Sequence, residues 1–205
     1  ADKAATRLPD ANWPAGERGF ADLNRQSAEL ARGLLARGVG KGSRVGFIFG
    51  NGPDFVLWFA AIARIGGIAV PISTLIKANE LVRVLRQSDI AGLVCTRKLL
   101  GHDFVARLCE ALPELKECGP DLRLPRAPYL RWIVCSGEGR PAAIQGWDFI
   151  TDAAASVSEA MLAEVESEVH TTDQLIEIYT SGSMALPKGV KHLRGPALFR
   201  AQFLR

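Results

Sequence analysis

Val45-Gly46-Phe47-Ile48-Phe49-Gly50-Asn51-Gly52-Pro53-Asp54 reads as an apolar run of strand length, a turn and the opening of a helix. Pro53 and Asp54 suit a first helical turn, where a missing N–H costs nothing and a carboxylate meets the positive end of the peptide dipoles. Phe55, Phe59, Ile62 and Gly66 then fall on one helical face, and Leu57 and Trp58 widen that stripe, so the helix is expected to be largely buried. Ile68–Ile72 is a second apolar run, closed by Pro71. A strand, a buried helix and a strand of this length predict a crossover unit with parallel strands.

The alternation continues on both sides. Upstream, Leu23, Ser27, Leu30, Ala31, Leu34 and Leu35 recur at helical spacing, Gly38 follows as a stop, and Gly38–Gly42 is a turn. Downstream, Leu81, Val82 and Leu85 mark a helix ending near Ser88, and Gly92–Cys95 is a short strand. A helix over 103–112, a proline-punctuated stretch, a strand over 131–135, an Ala/Glu-rich helix over 152–168 and a strand over 175–180 complete the series. The expected fold is α/β: a mostly parallel sheet of at least five strands flanked by helices, with right-handed crossovers. Residues 1–19, with Pro9, Pro14, Gly16 and Gly19, read as a lead-in loop, and 20–205 as the α/β domain.

The chain has 205 residues, 48% of them hydrophobic and 23% charged, an ordinary globular balance. The longest uncharged run, Ile65–Ile76, contains Gly66, Gly67 and Pro71 and falls short of the roughly 18 apolar residues of a membrane span. The start carries no signal-peptide pattern, and a cytoplasmic protein is expected. The net charge of +3 is spread without a dense basic run, which argues against nucleic-acid binding but suits a small anionic ligand. Cys95, Cys109, Cys118 and Cys135 form no CxxC pair and read as reduced thiols. Cys109 and His102 lack further ligands at zinc spacing, so no metal site is expected. Gly137-Glu138-Gly139-Arg140-Pro141-Ala142 fits a dinucleotide fingerprint in letters only, because Pro141 and Gly146 oppose the helix it needs. His102 and His170 read as surface residues, and Trp13, Trp58, Trp132 and Trp147 as packing residues.

One segment carries chemistry: Tyr179-Thr180-Ser181-Gly182-Ser183-Met184-Ala185-Leu186-Pro187-Lys188-Gly189-Val190, which follows an apolar strand. Consecutive backbone N–H groups in a tight turn make an anion-binding concavity. The hydroxyls of Thr180, Ser181 and Ser183 add donors, and Lys188 adds a point charge, so a polyphosphate suits the set. A Walker A loop is excluded, since Pro187 and Gly189 stand where that motif needs Gly and Ser/Thr. On residue chemistry alone, a solvated turn that binds nothing fits as well.

The segment resembles the phosphate-loop signature of the adenylate-forming superfamily, which includes acyl-CoA synthetases, luciferases and peptide-synthetase adenylation domains. Ten of the twelve positions of its Y/F/L-T-S-G-S/T-T-G-x-P-K-G-V pattern are compatible, and His192 stands at the expected distance. Phe20–Asn24 with Gly38–Val45, Asn51–Phe55 and Ala63–Ile72 resemble three further family segments, so the likeness covers most of residues 20–192. Met184 and Ala185 depart from it, standing where the family has Thr and a second Gly. That removes one phosphate donor and puts a side chain where a glycine conformation is usual.

The resemblance implies an amino-terminal portion of an acyl-CoA synthetase using ATP, Mg2+ and coenzyme A on a carboxylic acid, by family habit a fatty acid. Thr180, Ser181, Gly182, Ser183, Met184, Ala185, Leu186, Pro187, Lys188 and Gly189 would form the nucleotide-binding loop. No catalytic residue is expected within this segment, because the family's catalytic lysine follows later in longer chains. The segment alone is therefore expected to be inactive. A peptide-synthetase-type adenylation domain and a non-catalytic nucleotide- or partner-binding lobe are the alternatives. Homo-oligomerisation is left open.

Overall fold

The computed structural model describes residues 4–6, 18–180 and 188–203. Strands β1 (Ala4–Thr6) and β2 (Arg18–Gly19) pair antiparallel, so part of the expected lead-in loop is ordered as a small ribbon. Helix α1 (Phe20–Ala36) buries Ser27, Leu30, Ala31, Gly33 and Leu34. A Cβ at Gly33 would lie 2.1 Å from the Ile150 carbonyl oxygen, so the missing side chain is what lets a later turn lie against α1.

Strand β3 (Arg44–Ile48), helix α2 (Pro53–Arg64) and strand β4 (Ile68–Pro71) form the expected crossover unit, with Val45 opposite Ala69 in parallel register. Helix α3 (Ala78–Gln87) leads to β5 (Gly92–Cys95) on the other side of β3. A small antiparallel pair, β6 (Lys98–Leu99) and β7 (His102–Asp103), precedes α4 (Phe104–Ala111), whose first turn is capped by Asp103 accepting from the Ala106 N–H at 2.9 Å. Strands β8 (Trp132–Cys135) and β9 (Ile144–Gln145) extend the sheet, and the short helix α5 (Asp148–Thr151) follows.

The single helix expected over 152–168 is two pieces, a 3-10 segment Asp152–Ser156 and α6 (Glu159–Ser167). Val157 between them is extended, and the Ser158 hydroxyl accepts from the Met161 N–H at 3.1 Å, starting a new helix rather than continuing the old one. Strands β10 (Gln174–Thr180) and β11 (Lys188–Leu193) and helix α7 (Arg194–Phe203) complete the described chain.

The main sheet has seven strands in the order β11-β10-β4-β3-β5-β8-β9, parallel throughout except for the β10/β11 pair. Alternate residues of each strand point to opposite faces. Val45, Phe47, Ala69, Val94, Trp132 and Val134 pack with α1 and α2, and Trp58 of α2 is fully buried there. Ile48, Val70, Leu93, Cys95, Ile133 and Cys135 face the other layer, with Leu81 and Leu85 of α3 and Phe104 and Leu108 of α4. Burial on both faces explains why these strands read as nearly continuous apolar runs.

Trp132 is buried and Trp147 is half-buried, packed edge-on against Trp58 at 5.5 Å between ring centroids, whereas Trp13 lies outside the described residues. His170 is exposed, but His102 is half-buried with Nδ1 3.0 Å from an Arg107 guanidinium nitrogen, so it is less of a surface residue than expected. No helix follows Gly137–Ala142; the chain runs on to β9 instead. All four cysteines are free thiols.

Candidate functional site

The described ends of the segment 179–190 are the facing ends of the β10–β11 hairpin. β10 runs parallel to β4, so its carboxyl end emerges at the same edge as those of β3, β4 and β5. Ligands of open α/β sheets bind outside that edge. Thr180 and Lys188 are the last paired residues before the connection, so the two ends of the loop are held side by side. Lys188 is exposed at that mouth. Ser181, Gly182, Ser183, Met184, Ala185, Leu186 and Pro187 lie outside the described residues, as does the side chain of Thr180. Of the expected loop, the structure therefore places the Thr180 backbone, Lys188 and Gly189.

Beneath the mouth lies a polar cluster that the sequence reading passed over as part of an apolar strand. Glu177 is only 4% exposed. Its carboxylate accepts from the Tyr179 hydroxyl at 2.7 Å, from the Gln174 amide at 3.3 Å and from Arg44 Nε of β3 at 3.4 Å. A buried carboxylate needs such company, because burial without partners costs several kcal/mol. Burial pushes the Tyr179 phenol up, opposed by the Ser88 hydroxyl and reinforced by Glu177, so the hydroxyl stays protonated as a donor at neutral pH. The signal that could have revealed the cluster was a lone acid inside the run Leu175–Ile178.

Gly189 is directly opposite Tyr179 in the hairpin register. A Cβ there would lie 2.5 Å from Glu177 Oε1 and 3.1 Å from Tyr179 Cζ. The glycine therefore has a packing reason of its own: it leaves room for the hydrogen bond between those two side chains.

The base of the hairpin is tied as well. Asp173 accepts from the His170 N–H at 2.7 Å and pairs with Lys41 at 2.9 Å. Arg194, at the start of α7, is 9% exposed; its backbone N–H donates to the Asp173 carbonyl at 3.0 Å and its guanidinium to the Gly67 carbonyl at 3.3 Å. Burial lowers the Arg194 pKa from its ordinary value. From Lys188 to Phe203 the chain carries Lys188, Lys191, Arg194 and Arg200 and no acid, so the field along this margin favours an anion.

No group of three or more His, Cys, Asp or Glu among the described residues could hold a metal ion. Glu177 is committed to its three partners. A groove of 480 Å³ between α1, α2 and α6 has mixed charge, with Arg25, Arg32 and Arg64 beside Glu29, Glu159 and Glu166. Its Arg64 is already bound to Glu166, Asn24 and Ser27, so nothing there selects a ligand.

A mostly parallel sheet covered by two helical layers, with the β10–β11 hairpin at one margin, defines an α/β domain of three layers. The family model of the AMP-binding enzymes matches residues 2–203, and the chain belongs to that family. YngI of Bacillus subtilis, a protein named for acyl-CoA synthetase activity, is 32% identical over 190 residues, 92% of this chain and 34% of that protein. The acyl-CoA ligase sidI of Aspergillus fumigatus is 29% identical over 176 residues, 86% of this chain and 29% of its own length. Among solved structures, the acetoacetyl-CoA synthetase of Streptomyces lividans superimposes with a TM-score of 0.71 at 25% identity, covering 91% of this chain and 27% of that one. The anthranilate CoA ligase AuaEII, solved with anthranoyl-AMP, gives the same TM-score of 0.71 at 24% identity, over 92% of this chain and 32% of that one, and shows the fold. The chain thus spans about a third of the length of the curated relatives it matches.

Proposed function

We propose that this chain is the amino-terminal, phosphate-binding portion of an ATP-dependent acyl-CoA synthetase. The substrate would be a carboxylic acid, with a fatty acid the preferred class. In the first step a carboxylate oxygen attacks the α-phosphorus of ATP, forming acyl-AMP and releasing pyrophosphate. In the second, the thiol of coenzyme A attacks the acyl carbon, forming the thioester and releasing AMP. Mg2+ bound with ATP would offset part of the phosphate charge.

The part assigned to this chain is restraint of the leaving pyrophosphate while its charge builds. Thr180, Ser181, Gly182, Ser183 and the backbone around Met184, Ala185, Leu186 and Pro187 would supply donors. Lys188 would supply a positive charge, and Gly189 the close strand approach behind it. The observation that supports this reading most is the hairpin mouth: Thr180 and Lys188 paired at the carboxyl edge of the parallel sheet.

The remaining catalytic groups are assigned to the part of the ligase that this chain does not span, so the 205 residues alone are proposed to be inactive. No described helix is long and apolar enough to cross a membrane. A cytoplasmic location is proposed with that, although some relatives are named as mitochondrial. Met184 and Ala185 favour a second reading, a lobe that binds nucleotide without turnover.

The test is carboxylate-dependent exchange of labelled pyrophosphate into ATP, run on the chain as it stands and within its ligase-length polypeptide. Exchange in the longer protein with at least one carboxylate is expected. Hydrolysis of ATP to ADP and phosphate, with no exchange for any carboxylate, would defeat the adenylate-forming reading.

A further inference from the structure

We propose that Glu177 and Tyr179 are positioning residues for nucleotide binding, a buried clamp that fixes the spacing of the two strand ends from which the phosphate loop springs. This rests on the functional reading above and adds a residue-level cause to it.

The clamp is built across three elements. The Glu177 carboxylate is anchored to β3 through Arg44, at 3.4 Å, and within β10 through Gln174, at 3.3 Å. It then receives the Tyr179 hydroxyl at 2.7 Å. The Tyr179 ring packs on the core layer that contains α3 and α4. It also lies against Gly189 of β11, with its Cζ 3.1 Å from where a Cβ would stand. Tyr179 and Gly189 are one residue inside the Thr180–Lys188 pair. Any shift of the phenol is therefore transmitted to the backbone that sets where Lys188 leaves the sheet.

The arrangement has an unusual cost. A carboxylate placed in a sheet layer otherwise lined by apolar groups does not add stability by itself; buried ion pairs are often neutral compared with apolar residues. An apolar residue at 177 would pack the layer as well. What it would lack is an acceptor that holds the phenol at one height above Gly189. Among the described residues β11 pairs with β10 alone. Its height at the mouth is set there through β10 and this contact.

Neither residue need touch the nucleotide. The effect is expected on ATP affinity, not on the carboxylate. Tyr179→Phe removes the hydroxyl and leaves the ring packed. Loss of one hydrogen bond of this type should raise the KM for ATP about 3- to 10-fold in the exchange assay of the ligase-length protein. The KM for the carboxylate and the thermal midpoint should stay where they are. Glu177→Ala should match Tyr179→Phe, and Glu177→Gln, which keeps an acceptor for the phenol, should return the KM most of the way. Hydrogen exchange at the Gly189 and Val190 amides should quicken in Tyr179→Phe.

An unchanged KM for ATP in Tyr179→Phe overturns the proposal, even if Glu177→Ala fails to fold. A rise in both KM values together with a lower thermal midpoint also overturns it, because that is general loosening. If the wild-type protein shows no pyrophosphate exchange, the synthetase reading fails first. Direct calorimetric titration with magnesium-ATP then decides the clamp: a weakening by the same factor in Tyr179→Phe keeps it, while equal affinity, or no binding by the wild type, removes it.

Discussion

Strands β3, β4, β5 and β8 are covered on both faces, whereas β11, at the margin of the same sheet among the described residues, is exposed along its length in this chain. The inner strands are four or five residues long and, apart from Arg44 at the start of β3, apolar, and their register is set by which face each residue must hide. The marginal strand, Lys188–Leu193, has no such constraint. It is paired along its length to β10, and β10 in turn carries the polar ties: Glu177 to Tyr179 near the mouth, with Asp173 to Lys41 just before its start. The difference separates two jobs. The interior supplies a densely packed frame, and the edge carries the residues proposed to meet a ligand, held by contacts worth a few kcal/mol at most.

The largest expected effect lies in the frame. Trp58→Ala removes the largest fully buried side chain, and should destabilise folding by about 3–5 kcal/mol in urea titration. Its indole N–H has no hydrogen-bond partner among the described residues, so Trp58→Phe should cost distinctly less. A loss below about 1 kcal/mol for the alanine variant would mean that the layer between α1 and α2 collapses around the gap, and the contrast with the hairpin would be overdrawn.

The hairpin should answer in the opposite currency. Lys188→Ala removes a charge at the mouth, where the side chain is exposed. A charge-assisted contact to phosphate is worth about 1.5–3 kcal/mol, so adenylation by the ligase-length protein should slow roughly 10- to 100-fold. The urea midpoint should hardly move. An equal loss of stability would show that the edge belongs to the frame after all.

How much of this could be read from the letters follows the same division. Val45–Phe49, Ile68–Ile72 and Gly92–Cys95 were legible because burial on both faces makes a strand a short apolar run. Helix α2 was legible from Pro53, Asp54 and its stripe. Strand β11 was not, since Lys188-Gly189-Val190-Lys191-His192-Leu193 is extended only because β10 lies beside it. The break at Val157 was missed although Ser158 is an ordinary helix-capping residue, because the Ala/Glu composition on either side suggested continuity. At the site, hydroxyl and lysine chemistry marked the loop, but the Glu177 cluster unites β3 and β10, and Arg44 and Glu177 are too distant in sequence for pattern reading to join them.

Thiol chemistry offers a finer probe of the frame. Cys95 and Cys135 are register partners on β5 and β8, and both are fully buried. The hydrogen bond with Cys135, then burial, pushes the Cys95 thiol well up. Burial also raises Cys109, while Cys118 is half-buried. Alkylation of the native protein near neutral pH should therefore begin at Cys118, with the other three reacting only on unfolding. Modification of Cys95 at the rate of Cys118, read by peptide mass spectrometry, would mean that β5 and β8 open locally far below the unfolding transition.

The smallest effect is expected at the base of the hairpin. Asp173 accepts from the His170 N–H and pairs with Lys41, and those contacts, the amide first, hold its carboxyl below the usual carboxylate range. A carboxyl depressed on folding contributes stability that is present above its unfolded pKa, about 3.9, and is lost as pH falls through the lower folded value. Asp173→Asn should therefore lower the thermal midpoint slightly at neutral pH. The gap between variant and wild type should narrow as pH drops below about 4 and close once both carry a neutral side chain. Added salt should trim the share that comes from Lys41 and leave the share from the His170 amide. Thermal scans across pH read all three outcomes. A gap that stays constant from neutral to strongly acid conditions would assign the loss to altered hydrogen-bond geometry at the turn. In that case the electrostatic tie between Lys41 and the hairpin base contributes nothing to holding the edge.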